Sequence, residues 1–308
     1  MPGLDPGIQS EPIESEDLFL DCRVKPGNEG VVYSYKFAEE AAMSVLIERK
    51  GPVTTVVMAR SEARNAVDPA TAAKLTEAFL AFDADPEQHV AVFWGAGGAF
   101  CAGFDLKFAS SLSGKSRPLA ANDFPARDGP GPPGPMGPTR LELSKPVIAA
   151  IAGPAVAGGM ELALWCDLRV MEEDAYMGVF CRRWGVPLID GGTVRLPRIV
   201  GRGRALDLIL TGRKVMAEEC LQIGLCERVV PRGASRAAAE ALAHELAKFP
   251  QVCLHADRRS VWLQEGLSER EGLRTEWENS APVFEREGAA GAARFAGGKG
   301  RQGDQENI

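Results

Sequence analysis

Two runs rich in apolar and β-branched residues, in SVLIERKGPVTTVVMAR, are joined at Gly51-Pro52 and predict a pair of strands. DPATAAKLTEAFLAFDAD then switches to helical spacing. Leu75, Phe79 and Phe82 recur on one face, Asp68 stands as N-cap, and Pro69 takes the first helical position. HVAVFWGAG predicts a buried strand that closes in glycines. Strand, strand, helix, strand is the opening of an α/β domain. KPVIAAIAG predicts the next buried strand, residues 158–166 a helix, and DLRVM a further strand. After GGTVRLPRIVG the pattern turns helical through RGRALDLILTG, MAEECLQIG, ASRAAAEALAHELAKF, VCLHADRRSVWLQEG and LSEREGLRTEWENSAPVFERE, and only CERVV interrupts as a strand.

Three segments fall outside these periods. Residues 1–42 are acidic, with Pro, Gly and Ser and no clear period, and are expected to be a disordered extension. Ser110 to Pro138 reads as an inserted loop. Its GPGPPGPMGP stretch holds three Gly-x-y triplets from Gly131, too few for collagen, and predicts a stiff polyproline-II loop. From Gly288 the chain is Gly-rich and charged, and a mobile tail is expected. The most apolar run, Pro146 to Cys166, is long enough to span a membrane, but Pro146, Pro154, its glycines and Glu161 fit a strand, a turn and a helix better.

Composition narrows the function classes. A net charge of −7 gives no footprint for nucleic acid, and pairs such as Arg182–Arg183 are too short for a basic stripe. The seven cysteines show no metal-ligand spacing, and no basic-then-apolar leader pattern opens the chain; together these point to a reducing, cytoplasmic setting. Three histidines leave little material for a His-based metal site. GAGGAFCAGFDL follows a strand, but the third glycine of a dinucleotide fingerprint falls on Phe100 and no acidic strand end follows. No GK[ST] and no G-x-S-x-G occurs, which argues against a phosphate loop and a serine hydrolase.

What remains is a pair of glycine-rich turns and one misplaced charge. CAGFDL can lift the N–H groups of Gly103 and Phe104 into a cleft, and AGGMEL can do so with Gly158 and Gly159 at a helix start. Two converging N–H groups bind a developing oxyanion. The plainer account is two ordinary tight turns beside strands. Glu161 sits inside the apolar run GPAVAGGMELALWCDL, either as a first-turn acid favoured by the helix dipole or as a working group in a cleft.

SEARNAVDP, GAGGAFCAGFDL, SKPVIAAIAGPAVAGGMELALWCDLRV, WGVPLIDGGTVRLPRIVGRGRALDLILTGR and AEECLQIGLCERVVP together resemble the enoyl-CoA hydratase/isomerase, or crotonase, family, over roughly residues 43–295. The resemblance implies an α/β fold: a spiral core of ββα turns over residues 43–203 and a helical region over 204–287 that builds trimers or dimers of trimers by trading contacts between subunits. It implies an acyl-CoA thioester as substrate, with coenzyme A as part of it, and neither metal nor nicotinamide. The family's oxyanion N–H groups fall on Phe104 and Gly158, and its first catalytic glutamate on Glu161. Arg64, Ala66, Ala102, Gly103, Asp105, Leu106 and Gly159 match its substrate-binding positions, Asp105 as an ordering residue for the turn that aims the Phe104 N–H.

The chain departs from the family where hydratases carry a second glutamate: that position is Cys181. Cys181 as a nucleophile is the weaker idea, since a free cysteine usually serves as a small buried hydrophobe. The nearest replacement acid is Asp190, although the aspartate of the dienoyl-CoA isomerases and chlorobenzoyl-CoA dehalogenases falls on Ile189. Asp190 is either a second catalytic acid or a cap for the helix that starts near Gly191. Three functions are therefore carried forward. The first is hydration of a 2-enoyl-CoA with Glu161 and Asp190; the second is isomerisation or other enolate chemistry with Glu161 alone; the third is acyl-CoA binding without turnover.

Overall fold

The structure, a computed structural model of the 308-residue chain, describes residues 44–125 and 131–299. The expected N-terminal extension and the last nine residues lie outside the described residues.

Strands β1 (Val45–Lys50) and β2 (Val53–Met58) form the antiparallel hairpin expected at Gly51-Pro52. Helix α1 (Pro69–Ala84) follows, with the Asp68 side chain accepting from the Thr71 N–H. Strands β3 (Val90–Gly95), β4 (Val147–Ile151), β6 (Leu168–Glu172) and β9 (Arg228–Val230) extend the hairpin by parallel pairing, in the order β1-β2-β3-β4-β6-β9. Their apolar runs are continuous because both faces are covered. On one face Phe93, Ala149 and Ile151 meet α1 and helix α3 (Gly158–Trp165). Phe79 packs edge-on to both Phe93 and Trp165, at 5.1 and 4.9 Å between ring centroids. On the other face Val90, Val92, Ile148 and Ala150 pack against Ala239, Leu242 and Ala243 of a helix over Ser235–Leu246.

A second sheet of very short strands, β5 (Pro154–Val156), β7 (Tyr176–Gly178) and β8 (Val215–Met216), lies beside the first. Two or three residues carry no legible period, so the sequence shows only turns there. The helices expected from near Gly191 and over RGRALDLILTG are both present. They are Gly192–Val200 (α4) and Arg202–Thr211 (α5), with Pro197 inside α4.

Two expectations are corrected. The expected loop from 110 to 138 has little regular structure among its described residues, with a short helix, α2 (Leu106–Ser110), running into its start and a 3-10 turn over Ala120–Asn122, but its Gly/Pro stretch is not polyproline throughout: Gly134 and Gly137 exchange both main-chain hydrogen bonds in a tight turn that buries Met136. The glycines make this turn rather than a polyproline helix, and a thioether has a core to enter. Ala289–Ala296 form a helix where the composition suggested a mobile tail, because alanines outnumber glycines there. Among the described residues no helix is long and apolar enough to cross a membrane.

Candidate active site

Two chain reversals, one after the central strand β3 and one after β4, meet beyond the first sheet. In one, Val67 N–H donates to Gly103 O and Asp105 N–H to Val67 O, so Phe104 between them is held in an isolated parallel bridge while its own N–H has no acceptor among the described residues. In the other, Cys101 and Ala155 bridge, Ala157 N–H donates to Gly178 O, and Ala157 takes φ +54°, a conformation uncommon for a residue with a Cβ. Gly158 then opens α3 with its N–H unclaimed by an acceptor among the described residues, as expected at a first helical position. A Cβ on Gly103 would lie 3.0 Å from the Gly158 nitrogen and 2.9 Å from the Ala157 Cβ. The two turns are thus in contact, and two free N–H groups share one small region.

Gly103 itself has φ +97°. Gly103→Ala combines a left-handed backbone with a clash against the opposite turn, and should lower stability by about 1–3 kcal/mol; if the two N–H groups receive an oxyanion, kcat should fall about 10²-fold as well. Steady-state kinetics and thermal melts check both; wild-type kcat in a folded variant would separate this turn from catalysis.

Helix α3 is buried on every side, and Glu161 is the one ionisable residue in it. Its carboxylate is 3% exposed and accepts from two main-chain donors through Oε1: Asp190 N–H at 2.9 Å and Gly192 N–H at 2.8 Å. Asp190, also 3% exposed, lies beside it. Asp190 Oδ1 accepts from Met136 N–H at 3.0 Å and Thr139 Oγ1 at 2.5 Å. The alternative of a helix cap is therefore overturned: Gly191 occupies the N-cap of α4 and no side chain caps that helix. Burial, then the Asp190 charge, pushes the Glu161 carboxyl up to about 7, against the pull of the Gly192 and Asp190 amides and of Arg195. Burial likewise raises Asp190 above the usual carboxylate range, opposed by Thr139, Met136, Arg140 and Arg195.

Both carboxylates open on an apolar cavity of about 330 Å³. Phe104, Leu106, Met136, Phe180 and Trp184 form much of its wall, and Ala102, Gly158 and Cys181 also line it. The Cys181 thiol is raised above its usual range by burial and by the Glu161 charge, so it is a neutral wall group rather than a thiolate nucleophile. Of the other expected substrate positions, Arg64, Ala66, Gly103, Asp105 and Gly159 do not line the cavity. They build its frame. Arg64 O accepts from Ala102 N–H, and Asp105 caps α2 through Lys107 and Phe108 N–H. Arg60 ties Ala66 O, Asp68 and Asp105 together. Gly159 leaves room for the Cys101 carbonyl, which a Cβ would meet at 2.1 Å.

The residues that sequence reasoning missed are Met136, Thr139 and Arg195. Their contacts join segments more than 50 positions apart. The only local hint was the Met in GPMGP, an apolar residue with no reason to sit in a solvated loop.

A family model described as enoyl-CoA hydratase/isomerase matches residues 48–290. Enoyl-CoA hydratase EchA19 of Mycobacterium tuberculosis is 34% identical over 252 residues, covering 80% of this chain and 90% of the relative. Carnitinyl-CoA dehydratase of Salmonella arizonae is 36% identical over 233 residues, covering 75% and 85%. The crystal structure of enoyl-CoA hydratase EchA1 from Mycobacterium marinum superposes with a TM-score of 0.73 at 31% identity, covering 82% of this chain and 96% of that one.

Proposed function

The chain belongs to the enoyl-CoA hydratase/isomerase family and has its crotonase fold, and we propose that it is a lyase-type enzyme that hydrates a 2-enoyl-CoA to a 3-hydroxyacyl-CoA. The observation that carries this reading is the pair of buried carboxylates, Glu161 and Asp190, facing one apolar cavity with the unclaimed N–H groups of Phe104 and Gly158. The thioester oxygen accepts from those two N–H groups. Glu161 takes a proton from water, whose oxygen bonds to the β-carbon. The electron pair of the double bond moves onto the thioester oxygen as an enolate, which the two N–H groups stabilise. Asp190, protonated, returns a proton to the α-carbon. Two carboxyl groups this close do not ionise independently. A proton shared between them gives one acid and one base.

The lining also bears on the acyl group. Among the described residues, Glu161, Asp190 and Cys181 are the ionisable side chains that line it, and no cation does. An ω-carboxylate would meet two acids without a counter-charge, so the substrate is an uncharged, apolar enoyl chain. The C-terminal helices expose Leu273, Trp277 and Phe284 by 60%, 73% and 65%, apolar positions that a trimer would cover. Sedimentation gives that stoichiometry.

One observation favours a second reading. Cys181 stands where hydratases of the family carry their second glutamate, and its thiol holds its proton. If Asp190 serves only to hold Met136 and Thr139, Glu161 alone can remove and return a proton, as in an isomerase. Loss of crotonyl-CoA absorbance with purified protein tests hydration. Deuterium uptake at the α- or γ-carbon without that loss would replace it by the isomerase reading, and neither signal would leave an acyl-CoA binder.

A further inference from the structure

We propose that Arg195 is a positioning residue for both acids, a brace behind the carboxylate pair that fixes residue 190 in place and sets the charge balance of the pair. The inference rests on the reading of Glu161 and Asp190 as the working groups.

Arg195 lies one turn into α4, and its side chain folds back over Gly191. With φ +99°, Gly191 leaves the space: a Cβ there would lie 2.1 Å from Arg195 Nη1. From this position the guanidinium donates to two carbonyls, Asp190 O at 3.1 Å and Thr139 O at 2.7 Å. Thr139 in turn donates its hydroxyl to the Asp190 carboxylate. The contacts close a ring: Arg195 to Thr139, Thr139 to the Asp190 carboxylate, and the Asp190 carbonyl back to Arg195. On its other side, Asp190 N–H donates to Glu161. Residue 190 is thus clamped between the base and the guanidinium, and a rigid fork of donors suits two fixed carbonyls.

Arg195 does not line the substrate cavity. It faces a separate cavity of about 270 Å³, with Arg198, Arg258 and Glu265, that shares no lining residue with the substrate cavity. The neighbouring charges there are largely matched: Arg258 pairs with Asp167, Arg198 with Glu265, and Arg169 with Glu227. Both hydrogen bonds of Arg195 go to carbonyls, so its charge is left to act on the buried acids; burial works against that charge, and Glu161, then Asp190 and Glu265, favour it. On the Asp190 side Arg140 adds a second positive charge.

The test compares Arg195→Met and Arg195→Lys. A nearby cation favours ionised carboxylates. Removing it should move the acid limb of the kcat/KM profile, set by Glu161, to higher pH. In the Met variant kcat should fall about 10–100-fold with KM little changed, since no substrate contact is lost. Lys should restore the limb, because it keeps the charge, but only part of kcat, because an ammonium cannot fork to both carbonyls. Infrared difference titration of the buried carboxyls reads the same shift without turnover, so failure of the catalytic reading and failure of the brace are told apart. If the Met variant does not fold, Arg195→Gln, which keeps a donor and loses the charge, takes its place in the same measurements. A Met or Gln variant whose carboxyl titration stays in place, with Lys no better than either, would overturn the proposal and leave Arg195 a packing residue.

Discussion

Replacing Glu161 by glutamine should lower turnover about 10²–10⁴-fold while acyl-CoA affinity stays within a few-fold, because the amide keeps the shape and the acceptor oxygen but cannot take a proton. In the wild-type chain kcat/KM should rise with pH through an acid limb near 7, where the carboxyl ionises. The same substitution should stabilise the protein, and the sign follows from linkage. In the unfolded chain the carboxyl titrates near 4.5, whereas in the folded chain it titrates near 7. The protonated form is therefore favoured by folding, and its contribution is complete below 4.5 and lost as pH rises through 7. At pH 8 the wild-type chain holds a buried charge that glutamine does not have. Glu161→Gln should gain up to about 3 kcal/mol there and almost nothing at pH 4.5. Denaturant melts at the two pH values, beside steady-state kinetics, measure both effects. A variant that turns over at the wild-type rate would remove Glu161 from the mechanism.

The second large effect is expected at Asp190. Asp190→Asn preserves volume, and its amide oxygen can still accept from Met136 N–H and Thr139 Oγ1. What is lost is the ionisable group. Hydration should fall about 10²-fold or more if this residue returns the proton. There is a companion effect of opposite sign to that of Arg195→Met. The Asp190 charge raises the Glu161 carboxyl, so its removal should move the acid limb to lower pH. A variant with a shifted limb and an unchanged maximal rate would assign Asp190 to tuning alone and favour the single-carboxylate reading. Cys181→Glu completes the comparison: with Asp190 as the working acid, a third carboxylate beside Glu161 should not raise hydration, and crowding should depress it.

Much of this site could be read from the order of residue types. A glutamate within eight otherwise uncharged helical positions has few physical explanations, and the Gly-Gly pair before it marks the close approach of another chain segment. The helix over 69–84 was legible to its cap because Asp68, Pro69 and the Phe79–Phe82 face each act locally. The role of Asp190 was not, since its neighbours Gly191 and Gly192 suit a helix cap equally well, and only the fold shows that its carboxylate turns to Met136 and Thr139. Arg195 was hidden for the same reason: its sequence context is an amphipathic helix, while its partners come from 190 and 139. The small second sheet escaped because strands of two or three residues carry no period.

The Met136 turn has a consequence for how chemistry and access are joined. Its N–H ends on the carboxylate proposed to exchange a proton in each cycle, while its side chain forms part of the cavity wall. A carboxylate draws an N–H donor more strongly than a carboxylic acid does. The loop is therefore held tightest when Asp190 has just given its proton away, and most loosely when it is reloaded. By reciprocity, whatever pulls that turn inward makes the acid easier to ionise, and whatever lifts it makes the proton harder to release. The wall and the proton are two ends of one equilibrium, so the protection of the Met136 amide against hydrogen exchange, taken relative to its intrinsic rate at each pH, should rise as pH carries Asp190 through its titration, beyond the change seen in neighbouring loops.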